Sequence, residues 1–223
     1  MLIRSIPFTF FNPAMARERW TTRKLGVRGG GAREGWWGVS PAAEAFLDQL
    51  VVWRELSFNG CEWLPDYTDY ESLPEWARRT LESHAHDRRP RRYTVRQLEG
   101  AVTGDEVWNA AQRQLVAEGW FHGYLRMLWG KKILEWSKTP AEALGRMETI
   151  MNRYSLDGRD PNSYAGYSWV LGRYDRPWPE RPIFGTVRYM TSASARRKLK
   201  MARYLEKYGD KDRSVSRRRS AAD

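Results

Sequence analysis

From Asp105 to Trp136 apolar positions are so dense, DEVWNAAQRQLVAEGWFHGYLRMLWGKKILEW, that little of either predicted helix is left for solvent. The pattern predicts two helices meeting near Gly119, buried in a core rather than lying on its skin. Trp129 and Trp136 are seven residues apart, so a helix sets both indoles on one face, roughly 10 Å apart along its axis. Upstream, Ser40-Pro41 reads as an N-cap followed by a first-turn proline, and Ala42 to Phe58 as an amphipathic helix carrying Trp53 and Arg54 that stops near Asn59-Gly60. Leu73-Pro74-Glu75 opens a helix to about His84. Thr94 with Gln97 three residues on has the form of a capping box. Thr139-Pro140 begins a helix to about Tyr154, and Ser192 caps a last one to about Tyr208.

Between these helices the punctuation is turn chemistry. Pro65 to Ser72 is an acidic, tyrosine-rich loop, and Asp87 to Arg92 exposes charge. The steps Asp157-Gly158 and Asp160-Pro161 force a charged turn before an apolar segment reaches Trp169. Asp157, Arg159, Asp160 and Asn162 form the strongest polar cluster of the chain, where buried acids beside an arginine would stabilise one another and hold a polar cofactor. Arg173 to Gly185 is irregular and Val187 to Met190 extended. Residues 1–34 read as an irregular segment whose Gly29-Gly30-Gly31 is a loop, and residues 209–223 as a basic disordered tail. Neither repeats nor strand alternation appear, so the fold class is all-α, with residues 35–208 as the helical domain.

Composition narrows the chemistry. No apolar run approaches the ~20 residues of a membrane span, and the apolar patch at the start lacks a cleavage site, so a cytoplasmic protein with no membrane partner is expected. One cysteine, Cys61, rules out a disulfide framework and any multi-cysteine zinc site. His84 and His86 beside Asp87 read as a solvated turn, and no metal is expected. A net charge of +11 favours polyanionic partners, with a merely soluble basic surface as the alternative. Twelve tryptophans and eleven tyrosines tip that balance towards nucleic acid, because bases stack on flat π surfaces. From composition alone Trp53 is a core residue.

The segments AFLDQLVVWREL, LPEWARRTLESHA, WNAAQRQLV, FHGYLRMLWGKKILEW, LDGRDPNSYAGYSW, DRPWPERPIFGTVRYM and RRKL occur in one order over residues 35–208. Together they resemble the C-terminal, flavin-binding half of DNA photolyases, specifically the class II cyclobutane pyrimidine dimer photolyases. The resemblance implies a helical domain that holds FAD and binds double-stranded DNA containing pyrimidine dimers, with the damaged dinucleotide flipped into a pocket. Light-excited reduced flavin would then pass one electron to the dimer, which splits. Trp53 and Trp169 match the family's stacking platforms, and Trp129, Trp108 and Trp136 its proximal, middle and distal photoreduction relay. The resemblance thus reverses the packing-only reading of Trp53.

Arg126 and Asp157 match an ion pair beside the flavin ring, and Met127 a position near the dimer pocket. Arg54, Asn109, Asp160 and Asn162 are further candidates for cofactor contact or pocket support. Two positions depart from the pattern. Met151 stands at the asparagine expected near flavin N5, and Gln49 at a glutamate that hydrogen-bonds the dimer, an exchange that keeps both donor and acceptor. Residues 1–34 show neither an N-terminal α/β antenna domain nor a phosphate-binding LSPYLHFG-like segment, of which PFTFFN at Pro7 to Asn12 is a faint echo. A truncated gene, a frameshifted start and a split protein with a separate N-terminal half are the open readings, and a monomer is expected. Beside light-driven dimer repair stand two alternatives: a cryptochrome-like flavin light sensor, and a cofactor-free DNA-binding remnant.

Overall fold

The computed structural model describes residues 6–24, 35 and 37–210. The Gly29–Gly31 loop and the tail from residue 211 lie outside the described residues. The chain divides into two compact units, Met1–Trp63 and Leu64–Asp223, so the expected boundary at residues 34 and 35 falls inside the first. No strand occurs among the described residues. Where Val187 to Met190 was expected to be extended, the nearest feature is a single antiparallel bridge between Arg181 and Gly185. No helix among them is long and apolar enough to cross a membrane.

In the first unit α1 spans Ile6–Arg17, α2 Pro41–Leu47 and α3 Arg54–Trp63. Helix α1 corrects the irregular reading of this region: Pro13 is tolerated inside it. Ser40 caps α2 as expected, its hydroxyl accepting from the Ala43 amide at 3.4 Å. The single helix expected to stop at Gly60 is instead interrupted and prolonged. Asp48–Trp53 is a six-residue π-helical segment joining α2 to α3, and α3 runs through Gly60 to Trp63. A glycine inside a helix costs only about 1 kcal/mol, which surrounding turns absorb. A π segment is rarer and costlier, and such segments recur at functional sites. Gln49 lies within it, and Trp53 and Arg54 stand at its exit.

The second unit is a bundle of α4 (Glu75–Ser83), α5 (Val95–Glu99), α6 (Glu106–Glu118), α7 (Gly123–Trp136), α8 (Pro140–Tyr154), α9 (Pro161–Val170), α10 (Ser192–Lys198) and α11 (Ala202–Tyr208). Each central helix begins on a residue that satisfies an orphan amide. Asp105 accepts from the Trp108 amide, Thr139 from Glu142 and Asp160 from Asn162. The Thr94–Gln97 capping box is present. Helix α6 stops at Gly119, whose φ of 73° is left-handed, and a Cβ there would lie 2.8 Å from Leu156 Cγ. Only glycine is unstrained at that turn, which aims α7 back along α6.

The core is drawn from α4 to α9, with Leu81, Leu98, Leu115, Leu128, Ile133, Leu134 and Met147 buried among Trp108, Trp129 and Trp136. Each such aliphatic side chain contributes about 2 kcal/mol by leaving water. The last expected helix is two. Thr191, not Ser192, is its N-cap, and Leu199 at φ −115°, ψ 142° breaks it. The break lets α11 pack separately on α6, where Tyr204 Oη donates to Gln114 at 2.9 Å and Lys207 Nζ pairs with Glu118 at 2.8 Å. Ser192 instead donates its hydroxyl to the Asp105 carboxylate, at 2.7 and 2.6 Å to its two oxygens.

Candidate functional site

Helices α6 and α7 bring three indoles into contact. Trp108 and Trp129 stack with centroids 6.2 Å apart and planes 6° from parallel, and Trp136 meets Trp108 edge-on at 5.3 Å. The order in space is therefore Trp129, Trp108, Trp136, although in sequence Trp108 comes first. All three are buried. The Trp108 indole N–H donates to the Trp129 main-chain oxygen at 3.0 Å, and the Trp129 N–H donates to Gln112 Oε1 at 2.8 Å. At the far end Tyr93 meets Trp136 edge-on at 4.9 Å, and Lys132 lies 5.7 Å over its ring. Burial works against the Lys132 charge, but its bond to Glu135 at 2.7 Å and the nearby Asp105 more than offset this and raise its pKa.

One turn before Trp129, the Arg126 guanidinium forks. One nitrogen reaches Asp157 Oδ2 at 2.6 Å and another Ser163 Oγ at 2.7 Å. The Ser163 hydroxyl in turn donates to the Asp157 carbonyl at 2.6 Å, and Ser155 donates to the other carboxylate oxygen. Burial pushes the Asp157 carboxyl up, but the Arg126 charge and these hydrogen bonds outweigh it, and the net shift is downward. Asp157 is thus an anion locked in orientation, and Arg126 a fixed cation, both half-exposed. Charge-assisted pairs of this kind hold their geometry better than neutral ones.

The remaining candidates are placed less uniformly. Asp160 caps α9 by accepting from the Asn162 amide at 2.8 Å, and Asn162 follows Pro161 in the first turn. Arg159 takes a left-handed conformation with φ 65°, its amide bonded to Asn152 Oδ1 at 2.9 Å. Asn109 is buried and triply bonded to Thr103, through its amide, hydroxyl and carbonyl. Met127 is half-buried against the core, Met151 is fully buried on α8, and Trp169 lies half-buried on the last turn of α9. In the first unit Arg54 pairs with Glu55 at 2.6 Å and lies 4.4 Å over the Phe58 ring. Gln49 and Trp53 belong to the π segment.

His84 bridges Asp87 at 2.6 Å and Glu180 at 2.8 Å, which raises the imidazole pKa through those two hydrogen bonds. No cluster of metal ligands occurs among the described residues. The expected solvated turn is instead a clamp between two loops, because Arg89 also turns inward to the Ser137 and His84 carbonyls. The loop after α9 is basic and aromatic: Arg176 and Arg188 lie 5.4 and 5.2 Å over the Trp178 ring, and Arg181 lies 5.4 Å over Tyr189. Sequence reasoning passed over Gln112, Ser155 and Ser163. Gln112 had one signal, its place four residues after Trp108 on the same helical face; the two serines had none.

No protein-family model matches the chain. It is 48% identical over 162 residues to a deoxyribodipyrimidine photo-lyase of Methanothermobacter thermautotrophicus, covering 73% of this chain and 36% of that protein. A deoxyribodipyrimidine photo-lyase of Arabidopsis thaliana is 46% identical over 165 residues, 74% of this chain and 33% of its own length. One of Oryza sativa subsp. japonica is 44% identical over 187 residues, 83% and 37% respectively. The chain thus spans about a third of the length of these relatives.

Proposed function

Because the chain belongs to the deoxyribodipyrimidine photo-lyase family, we propose that it is the flavin-holding and electron-relaying part of a light-driven enzyme that splits cyclobutane pyrimidine dimers in DNA. The observation that carries this reading is the unbroken indole series Trp129, Trp108, Trp136 beginning one turn from the Arg126–Asp157 pair. The closeness of the class II motifs supports that subclass.

The residues fit FAD. A fixed cation with its oriented carboxylate suits a ring system that becomes anionic on reduction, and Gln112 Nε2 is a buried donor without a partner among the described residues. FAD, when bound, supplies the light absorption and the one-electron chemistry. Arg126 would hold negative charge on the cofactor, with Asp157 and Ser163 fixing the guanidinium. Trp129 would be the first donor of the relay, refilled by Trp108 and then Trp136. In the second unit Trp169 would be a flat surface on which an extruded base stacks, Met127 a pocket candidate, and Asn109, Asp160 and Asn162 supporting residues, Asn109 and Asp160 through the structure they hold. In the first unit Trp53 would be a flat surface of the same kind, with Gln49 and Arg54 as polar candidates. The cations over Trp178 and Tyr189 suit contact with the DNA backbone.

The test is the visible spectrum of the purified chain together with thymine-dimer loss from irradiated duplex DNA under blue light. Bound flavin with dimer loss is the expected result. Flavin without dimer loss would leave the light-sensor reading, which Met151 leaves open, and no flavin would leave a DNA-binding remnant.

A further inference from the structure

We infer that Gln112 is a positioning residue of the relay, presenting an uncharged acceptor to the Trp129 indole so that Trp129 loses an electron without losing its proton. This deepens the relay proposed above and rests on it. Gln112 is fully buried on α6, and its Oε1 accepts from the Trp129 N–H at 2.8 Å. The indole nitrogen is a donor only, so the orientation of the amide is fixed by chemistry rather than by choice. The acceptor for Trp108 is likewise an amide oxygen, the Trp129 main-chain carbonyl at 3.0 Å. Neither buried indole donates to a carboxylate or an imidazole.

That distinction matters because an oxidised indole is a far stronger N–H acid than a neutral one. A carboxylate at Oε1 would take the proton, leaving a neutral radical that no longer draws an electron readily from its neighbour. An amide oxygen stabilises the cation through a charge-assisted hydrogen bond but is too weak a base to remove the proton. Trp129 would give up one electron with its N–H bond intact, and Trp108 would then give one electron to Trp129 and restore it. The relay needs no proton transfer until the vacancy has passed Trp129 and Trp108.

The experiment uses the full chain loaded with FAD. In Trp108→Phe the vacancy is stranded on Trp129, and time-resolved absorption separates the indole cation radical from the neutral one. The expected result is a cation radical that decays at the same rate in H2O and D2O. Adding Gln112→Leu should lower the yield of the Trp129 radical about tenfold, the size of one lost charge-assisted hydrogen bond. Prompt deprotonation of the stranded radical, or an unchanged yield in Gln112→Leu, overturns the inference while leaving the relay standing. Absence of any indole radical in the unmutated chain overturns the relay itself. Independently of cofactor, the Trp129 indole N–H resonance should move upfield and exchange faster in Gln112→Leu; an unmoved resonance refutes the contact.

Discussion

Lys131 offers the sharpest test of the packing that surrounds the three indoles. It lies on α7 with its side chain wholly buried, and its Nζ donates to the Val170 carbonyl at 2.5 Å, the last residue of α9. That carbonyl is one of the orphans of a helix C-terminus, where a cation is favoured. Burial nevertheless dominates, and with a partial offset from Asp175 it pushes the ammonium down to about 7. The unfolded chain, with lysine near its ordinary 10.5, therefore holds a proton between pH 7 and 10 that the folded chain lacks. Linkage makes this a destabilisation that is complete below pH 7 and fades as pH rises towards 10. It amounts to about 5 kcal/mol at pH 6 and about 2 kcal/mol at pH 9, a difference of about 3 kcal/mol. Lys131→Met removes the titrating group but leaves the Val170 carbonyl unpaired, at a cost of about 1–3 kcal/mol that does not depend on pH. Urea unfolding followed by tryptophan fluorescence should show the variant gaining on the unmutated chain at pH 6 and losing about 3 kcal/mol of that advantage by pH 9. An advantage equal at both pH values would refute the reasoning, because it would mean that the lysine is protonated alike in both states.

Three further outcomes follow from the same contacts. In Gly130→Ala the new Cβ would lie 2.5 Å from Val170 Cγ2 and 3.0 Å from Met147 Sδ, so thermal melts should show a loss of about 1–3 kcal/mol from overpacking between α7, α8 and α9. Asp157, held below its ordinary 3.8, contributes stability that is present above that value and lost as pH falls through the lowered one. Asp157→Asn should flatten this acid limb in unfolding curves taken between pH 2 and 5. Glu118 gathers Lys207, Tyr208 and Gln114, which together hold its carboxyl down at about 2. Glu118→Gln should speed amide exchange across Ala202–Tyr208 without altering exchange in α7, and uniform acceleration in both helices would contradict a local tie.

Much of the helical framework was legible because its signals are local. Ser40, Thr94 and Thr139 sit beside the amides they cap, so the cap and its partner are within three residues of each other. What escaped depends on contacts across the chain. Nothing near Leu199 announces a helix break; the reason lies on α6, at Gln114 and Glu118, about 90 residues away. Gly60 carries the ordinary mark of a helix end, yet α3 continues through it to Trp63. The π segment changes hydrogen-bond spacing without changing the residue pattern that a helix requires, so Gln49 and Trp53 were placed on an ordinary helix. In the site, the polar turn pointed to Asp157 and the resemblance paired it with Arg126 across 31 residues, whereas Ser163 had no signal of its own.

Helix α7 explains why so many of these contacts stand or fall together. Apolar and small residues cover it on every side, as expected of a helix buried all round, and each face has a separate task. Trp129, Ile133 and Trp136 turn one way, with both indoles meeting Trp108 of α6. Gly130 admits Val170 of α9 closely, and Lys131 holds the carbonyl of that same residue. Arg126, one turn earlier, reaches the loop between α8 and α9. Successive residues are rotated by about 100°, so a shift of α7 by one residue would part the indoles, unseat Val170 and pull Arg126 from Asp157 together. The spacing of the indoles and the orientation of the charged pair are therefore one geometric quantity. A substitution at Gly130, which touches neither, should disturb both the indole stacking and the Arg126–Asp157 pair.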